Sequence, residues 1–138
     1  MKKVILDQET FGLSSLMERI TGTRVKDCFK DDDGIIYFIV AQGFLGKAVG
    51  KKGANVKRVQ QELGRKIRII EFADDPVGFV KNVIYPVTAE EIIEADDSVM
   101  IRDANKRTRS LLIGRGGKNL QLINRAVKRF FNKEVKVA

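Results

Sequence analysis

Two short segments, residues 50–53 and 114–117, combine glycine with basic residues in a pattern that suits phosphate binding. The first is Gly-Lys-Lys-Gly and the second is Gly-Arg-Gly-Gly. Each precedes a predicted helix, whose first backbone N–H groups are unpaired and carry partial positive charge. Glycine allows a phosphate backbone to approach these groups closely. The predicted binding residues are Gly50, Lys51, Lys52 and Gly53 in the first segment, and Gly114, Arg115, Gly116 and Gly117 in the second.

Further basic residues flank both segments. They are Lys47, Lys57, Arg109 and Lys118. The sequence leaves two interpretations open for these four side chains: contact with an anionic ligand, or an ordinary solvated helix surface. Val56 and Leu120, on the helices that follow the segments, are predicted to lie in the core or on the floor of a groove.

The spacing disfavours a nucleoside-triphosphate loop. That loop needs four residues between its first glycine and the Gly-Lys-Ser/Thr end. Here only three residues separate Gly46 from Gly50, and Lys51 is followed by Lys52. The second segment also lacks the hydroxyl residue, since Lys118 is followed by asparagine. ATPase and GTPase functions are therefore disfavoured.

The composition offers little for catalysis or metal binding. The chain has no histidine and one cysteine, Cys28, which is predicted to be a buried structural thiol. An acidic turn at residues 31–33 fails as a calcium loop, because the required register places Phe29 and Val40 at ligand positions. We therefore expect no enzymatic activity, no metal, no cofactor and no small-molecule substrate.

The positive charge is concentrated around the two glycine segments. The net charge is +8, and residues 43–70 hold eight basic residues against one acidic residue. Residues 105–136 hold ten against one, whereas the remainder of the chain holds eight against sixteen. Charge and backbone pattern thus indicate the same two places, as expected for a protein that binds nucleic acid.

Nothing in the sequence indicates a membrane protein. No window approaches the 18 or more apolar residues of a membrane span. The start of the chain, "MKKVILDQETFG", reaches acidic residues before a signal-type apolar region develops. We expect a cytoplasmic protein without membrane contact.

An internal repeat predicts the elements that position the glycine segments. A shift of 64 residues aligns "VGKKGANVKRVQQEL" with "IGRGGKNLQLINRAV", placing Asn55 on Asn119. The shared apolar positions are spaced i, i+3, i+7, which indicates a helix with one buried face. A basic alternating strand follows each helix, and a helix and two strands precede each glycine segment. Each unit is thus predicted as helix, strand, strand, helix, glycine turn, helix, strand.

A Gly-x-x-Gly turn between two helices is typical of the KH module, which clamps the backbone of about four single-stranded nucleotides. The order of elements, with a helix first, resembles the type II, or prokaryotic, KH fold. More narrowly, "VGKKGANV", "LIGRGGKNLQL" and "DDPVGFVKNVIYP" resemble segments of the archaeal NusA family. The last is similar to the Asp-Pro…Phe…Asn…Pro connector between NusA KH domains.

This resemblance implies an α+β fold of two tandem type II KH domains, residues 1–74 and 75–138. Each would have a small three-stranded mixed sheet packed against helices. It implies a factor that binds single-stranded nascent RNA during transcription elongation, pausing or termination, with RNA polymerase as a further candidate partner. Two alternatives remain open: a ribosome-associated or ribosome-assembly KH protein, and an adaptor whose basic faces bind an acidic protein.

Overall fold

The computed structural model describes residues 8–138, which divide into two compact units between Phe72 and Ala73. Both units have the element order that the repeat predicts. Residues 1–7 lie outside the described residues. They include the start of the segment that predicts the absence of a targeting signal. No helix in the described range is long and apolar enough to cross a membrane.

The first unit is a three-stranded mixed sheet with three helices. Its elements are α1 (Gln8–Thr21), β1 (Val25–Lys30), β2 (Ile36–Val40), α2 (Leu45–Val49), α3 (Ala54–Leu63) and β3 (Ile67–Glu71). A 3-10 turn, Lys51–Gly53, joins α2 to α3. The strand order is β1-β2-β3, with β2 antiparallel to β1 and parallel to β3. The central strand β2 is buried at all five positions, which explains its almost wholly apolar sequence.

One face of this sheet carries the core of the first unit. Phe38 and Cys28 pack there with Met17, Ala48 and Val59 from the three helices. The prediction of a buried thiol at Cys28 is confirmed, since the residue is fully buried. Phe11 differs from Met17 on the same helix, because Phe11 is 64% exposed whereas Met17 is fully buried. The spacing of apolar residues identifies the face of a helix that points inward, but it does not show which residues on that face are covered by other elements.

The acidic turn between β1 and β2 is a hairpin turn. Asp31 Oδ1 accepts hydrogen bonds from the backbone N–H groups of Asp33 and Ile35, both at 2.9 Å. Its second oxygen accepts from the hydroxyl of Tyr37, also at 2.9 Å. Burial, followed by this hydrogen bond, raises the pKa of Tyr37 to about 12. The carboxylate that suggested a metal loop therefore organises the turn itself.

The second unit repeats the pattern of the first. Its elements are α4 (Pro76–Ile84), β4 (Glu91–Glu94), β5 (Ser98–Arg102), α5 (Lys106–Ile113), α6 (Lys118–Lys128) and β6 (Glu134–Val137). A 3-10 turn, Arg115–Gly117, joins α5 to α6. The central strand β5 is antiparallel to β4 and parallel to β6. The unit is thus a second three-stranded mixed sheet with helices.

Local signals determine where α4 begins and ends. Asp75 caps its N-terminus, with a carboxylate oxygen 2.7 Å from the N–H of Gly78, and Pro76 occupies the first helical position. The helix ends before Pro86, whose peptide bond with Tyr85 is cis. These boundaries are the ones that the capping pattern predicts.

Candidate nucleic-acid interface

Both units contain a loop of nearly the same backbone shape, which we call the first glycine loop (residues 50–53) and the second glycine loop (residues 114–117). Gly50 and Gly114 begin the loops with φ/ψ of 79°/166° and 75°/171°. The third and fourth positions of both loops are left-handed, and their torsions agree within 10°. The repeat found in the sequence is therefore also a repeat of local geometry.

A lysine occupies a left-handed position in the first glycine loop. Lys52 has φ 56° and ψ 28°, and it is the only non-glycine residue with positive φ in the described part of the chain. Gly116 occupies the equivalent position of the second loop. Left-handed torsions cost a non-glycine residue about 1–2 kcal/mol. The loop holds a charged side chain where the backbone favours glycine.

The first glycine of each loop permits two helices to pack closely. A Cβ atom added at Gly50 would lie 2.8 Å from the backbone nitrogen of Asn55. A Cβ atom at Gly114 would lie 2.8 Å from the backbone nitrogen of Asn119. Real Cβ atoms do not approach backbone atoms so closely, so any larger residue would move the start of the following helix. In contrast, a Cβ atom at Gly53, Gly116 or Gly117 would meet nothing within 4 Å.

An asparagine braces each loop from inside. The Asn55 side-chain amide donates to the carbonyl of Lys47 at 2.9 Å, linking α3 to α2. The Asn119 amide donates to the carbonyls of Leu111 and Leu112, at 3.1 and 3.0 Å, linking α6 to α5. The repeat aligns these two asparagines, but their role in the loops was not predicted from the sequence. The identical residue at equivalent positions of the two units was the sequence signal that could have indicated it.

The N-termini of α3 and α6 are open for an anion. Within the described residues, neither helix has a side chain that caps its first N–H groups. Lys51, Lys52 and Arg115 are exposed beside these N-termini. Because each loop places exposed cations beside a helix N-terminus, where the helix dipole favours negative charge, it can hold a phosphate.

The four flanking basic residues have different surroundings. Lys57 and Lys118 are exposed on the helices that follow the loops. The ammonium group of Lys47 lies at the C-terminal end of α1, 3.5 Å from where a Cβ of Gly22 would be. Arg109 is half-buried, and its guanidinium donates to the carbonyl of Asp103 at 2.6 Å, at the opposite end of α5 from the loop. The structure therefore gives Arg109 a structural contact away from the second glycine loop.

A shallow depression runs along each helix that follows a loop. In the first unit its lining residues are Lys57, Gln60, Gln61, Gly64, Arg65 and Lys66. In the second unit they are Gly117, Leu120, Gln121, Asn124, Arg125 and Lys128. Both depressions contain basic and amide groups, which suit a polar, anionic chain. Leu120 lines the second depression, whereas Val56 is half-buried and does not line the first.

Equivalent amides join these helices to the last strand of each sheet. The side-chain oxygen of Gln60 accepts from the N–H of Ile67 at 3.1 Å. The side-chain oxygen of Asn124 accepts from the N–H of Val135 at 2.7 Å. These contacts hold one wall of each depression against its sheet.

Comparisons with known proteins point to one family. The family model described as KH domain matches residues 35–94, from the start of the first sheet's central strand to β4. The chain is 37% identical over 128 residues to the probable transcription termination protein NusA of Methanococcus vannielii, covering 91% of this chain and 72% of the relative. The protein of that name from Methanocaldococcus jannaschii is 33% identical over 132 residues, covering 94% and 72%.

A solved structure has the same fold. The crystal structure of APE1850 superposes with a TM-score of 0.77 at 27% identity, covering 96% of this chain and 99% of that one.

Proposed function

Because this chain belongs to the archaeal NusA family of RNA-binding factors, we propose that it binds single-stranded nascent RNA through both glycine loops during transcription elongation, pausing or termination. The observation that carries the proposal is the repeated loop, with nearly equal backbone torsions and exposed cations at both copies. The relatives' name, probable transcription termination protein, supports the assignment to transcription.

We further propose that the units are two type II KH domains, residues 1–74 and 75–138. In support, both units begin with a helix and contain the same three-stranded mixed sheet. The KH-domain match covers the first glycine loop and its flanking helices. The second unit has the same element order with nearly the same loop torsions.

The proposed interaction is a phosphate clamp. The RNA backbone would approach Gly50 and Gly53 in the first loop, and Gly114 and Gly117 in the second. The uncapped N–H groups of α3 and α6 would donate to phosphate oxygens, while the lysine and arginine side chains of the loops neutralise charge. Adjacent bases would lie along the two depressions, about four nucleotides per module. The role is binding without catalysis, in the cytoplasm and beside RNA polymerase.

A charge-reversal experiment tests the first clamp. RNA affinity is measured by fluorescence anisotropy for the wild type and for the double variant Lys51→Asp/Lys52→Asp at several salt concentrations. Each lost phosphate contact should flatten the log-log salt slope by about 0.7. The matched control is Lys81→Asp/Lys106→Asp, which changes the net charge equally at exposed positions outside the loops. Equal behaviour of the two double variants would show that the first loop is not a binding site.

Crosslinking in native cells then separates transcription from the alternatives. Recovery of nascent transcripts, including precursor regions absent from mature RNA, would support the transcription role. Recovery of mature ribosomal RNA would favour a ribosomal role. Recovery of an acidic protein without RNA would favour the adaptor role.

A further inference from the structure

The helix before the first glycine loop is too short to be stable by itself. α2 has five residues, Leu45–Val49, and so short an isolated helix gains too few hydrogen bonds to offset the cost of nucleation. Among these five described residues, Ala48 alone is fully buried. The order of α2, and with it the position of the loop that follows, therefore depends on contacts with other elements.

Side chains from other elements hold both ends of α2. Near its C-terminal end, the Asn55 amide donates to the carbonyl of Lys47 at 2.9 Å. At its N-terminal end, Oε2 of Glu71 accepts hydrogen bonds from the N–H of Gly43 at 3.0 Å and from the N–H of Leu45 at 3.2 Å. Leu45 is the first residue of α2, so its N–H has no acceptor within the helix. Because Glu71 is the last residue of β3, these two bonds fasten the start of α2 to the sheet.

The second unit holds the equivalent helix in a different way. Asn105 caps α5 locally, and its side-chain oxygen accepts from the N–H of Arg107 at 2.8 Å and of Thr108 at 3.2 Å. The N-cap of α2 is instead Phe44, which packs against the core and has no acceptor atom in its side chain. The start of α5 is therefore fixed by a residue of its own N-terminus, whereas the start of α2 depends on Glu71, which is distant in the chain.

Resting on the proposed RNA binding, we propose that Glu71 is a positioning residue for the first glycine loop. Its carboxylate fixes the start of α2 against the sheet, and the end of α2 then presents Lys51 and Lys52 beside the N-terminus of α3. Charge alone predicts the opposite effect, since removing an acidic group from an RNA-binding protein reduces the repulsion of phosphates. The sign of the effect on RNA affinity therefore distinguishes positioning from electrostatics.

The experiment separates the reach of Glu71 from its charge. Glu71→Gln keeps the accepting oxygen and loses the charge, whereas Glu71→Asp keeps the charge and shortens the side chain by one methylene. The affinity for a ten-nucleotide single-stranded RNA of mixed sequence is measured by anisotropy over a series of salt concentrations. Glu71→Ala and Glu71→Asp should each weaken binding about fourfold or more at about 0.15 M salt, which is the effect of one phosphate contact with a log-log slope of about 0.7.

The conservative variant should restore binding. Glu71→Gln should bind the RNA as tightly as the wild type or more tightly, because it still accepts both hydrogen bonds. The matched control is Glu62→Ala, which removes the same charge from the exposed surface of α3 and should not weaken binding. In the background of Lys51→Asp/Lys52→Asp, Glu71→Ala should have no further effect, because the contacts that Glu71 positions are already lost.

Hydrogen exchange measures the order of α2 without RNA. The amides of Ala48 and Gly50 donate to carbonyls of α2 and its N-cap. Their protection should fall about tenfold or more in Glu71→Ala and Glu71→Asp, since a hydrogen bond to a carboxylate is lost, and it should be retained in Glu71→Gln. The amides of β2 should stay protected in all three variants.

Three results would overturn the positioning role of Glu71 while leaving the proposed function intact. They are equal losses of affinity in Glu71→Gln and Glu71→Ala, equal losses from Glu71→Ala in both backgrounds, and unchanged binding by all Glu71 variants when Lys51→Asp/Lys52→Asp weakens it. If Glu71→Ala unfolds the first unit, seen as lost protection in β2, the comparison of Glu71→Asp with Glu71→Gln decides in the same way. A wild type that does not bind the RNA would refute the proposed function and this inference with it.

Discussion

Substituting alanine for Gly50 should destabilise the first unit far more than the same substitution at Gly53, three residues away. Gly50 has φ 79° and ψ 166°, a region that is accessible almost only to glycine. Its added Cβ would also lie 2.8 Å from the backbone nitrogen of Asn55. Gly53 is left-handed, with φ 75° and ψ 17°, and its Cβ would meet nothing within 4 Å.

The two costs follow from this geometry. For Gly53→Ala the left-handed conformation alone gives about 1 kcal/mol. For Gly50→Ala the backbone conformation costs about 2 kcal/mol. Displacing Asn55 also breaks its hydrogen bond to the carbonyl of Lys47, which adds about 1 kcal/mol. The expected difference between the variants is therefore about 2 kcal/mol, roughly a 30-fold change in the unfolding equilibrium.

Hydrogen exchange followed by mass spectrometry measures this difference locally, which avoids assuming that the two units unfold together. Amides of α3 should lose protection in Gly50→Ala and retain most of it in Gly53→Ala. The second loop provides an independent repeat, because Gly114→Ala has the same close contact with Asn119 whereas Gly116→Ala has none. The amides of α3 and α6 could instead be as well protected in Gly50→Ala and Gly114→Ala as in Gly53→Ala and Gly116→Ala. Close helix packing would then not be the reason for glycine at the first position of each loop.

Three further predictions concern individual side chains. Lys52→Gly should raise the free energy of unfolding by about 1 kcal/mol, because it removes a left-handed lysine, and should weaken RNA binding; stabilisation without weaker binding would separate Lys52 from the site. Asn119→Ala should lower stability by about 1–2 kcal/mol in chemical denaturation, since it leaves the carbonyls of Leu111 and Leu112 without this donor; Gln121→Ala, on the exposed side of α6, should have little effect. In the folded protein the pKa of Tyr37 is raised to about 12. The protonated hydroxyl therefore contributes to the free energy of unfolding below pH 10, and this contribution is lost as the pH rises from about 10 to 12. Stability there should fall more steeply for the wild type than for Tyr37→Phe, and equal slopes in denaturation experiments would contradict the assigned pKa.

The sequence predicted the α+β class, the NusA family and the RNA-binding role, and these are confirmed. The order of helices and strands could be predicted because the sequence repeats. A weak strand pattern in one unit was supported by the equivalent segment in the other unit. The tandem type II KH assignment, the domain limits and the twelve site residues stay predictions. Their tests are the loop variants described above.

The sequence by itself determined the features that depend on chain neighbours. Hydrophobic periodicity predicted the helices and strands, and Asp75, Pro76 and Pro86 marked the limits of α4, because caps and breakers act within a few residues. Only the tertiary structure decided which side chains are covered and which partners they meet. It engaged Arg109 with a backbone carbonyl and left Leu111 exposed beside a buried leucine. Such outcomes depend on how elements distant in the chain pack together, and local sequence carries no record of that packing.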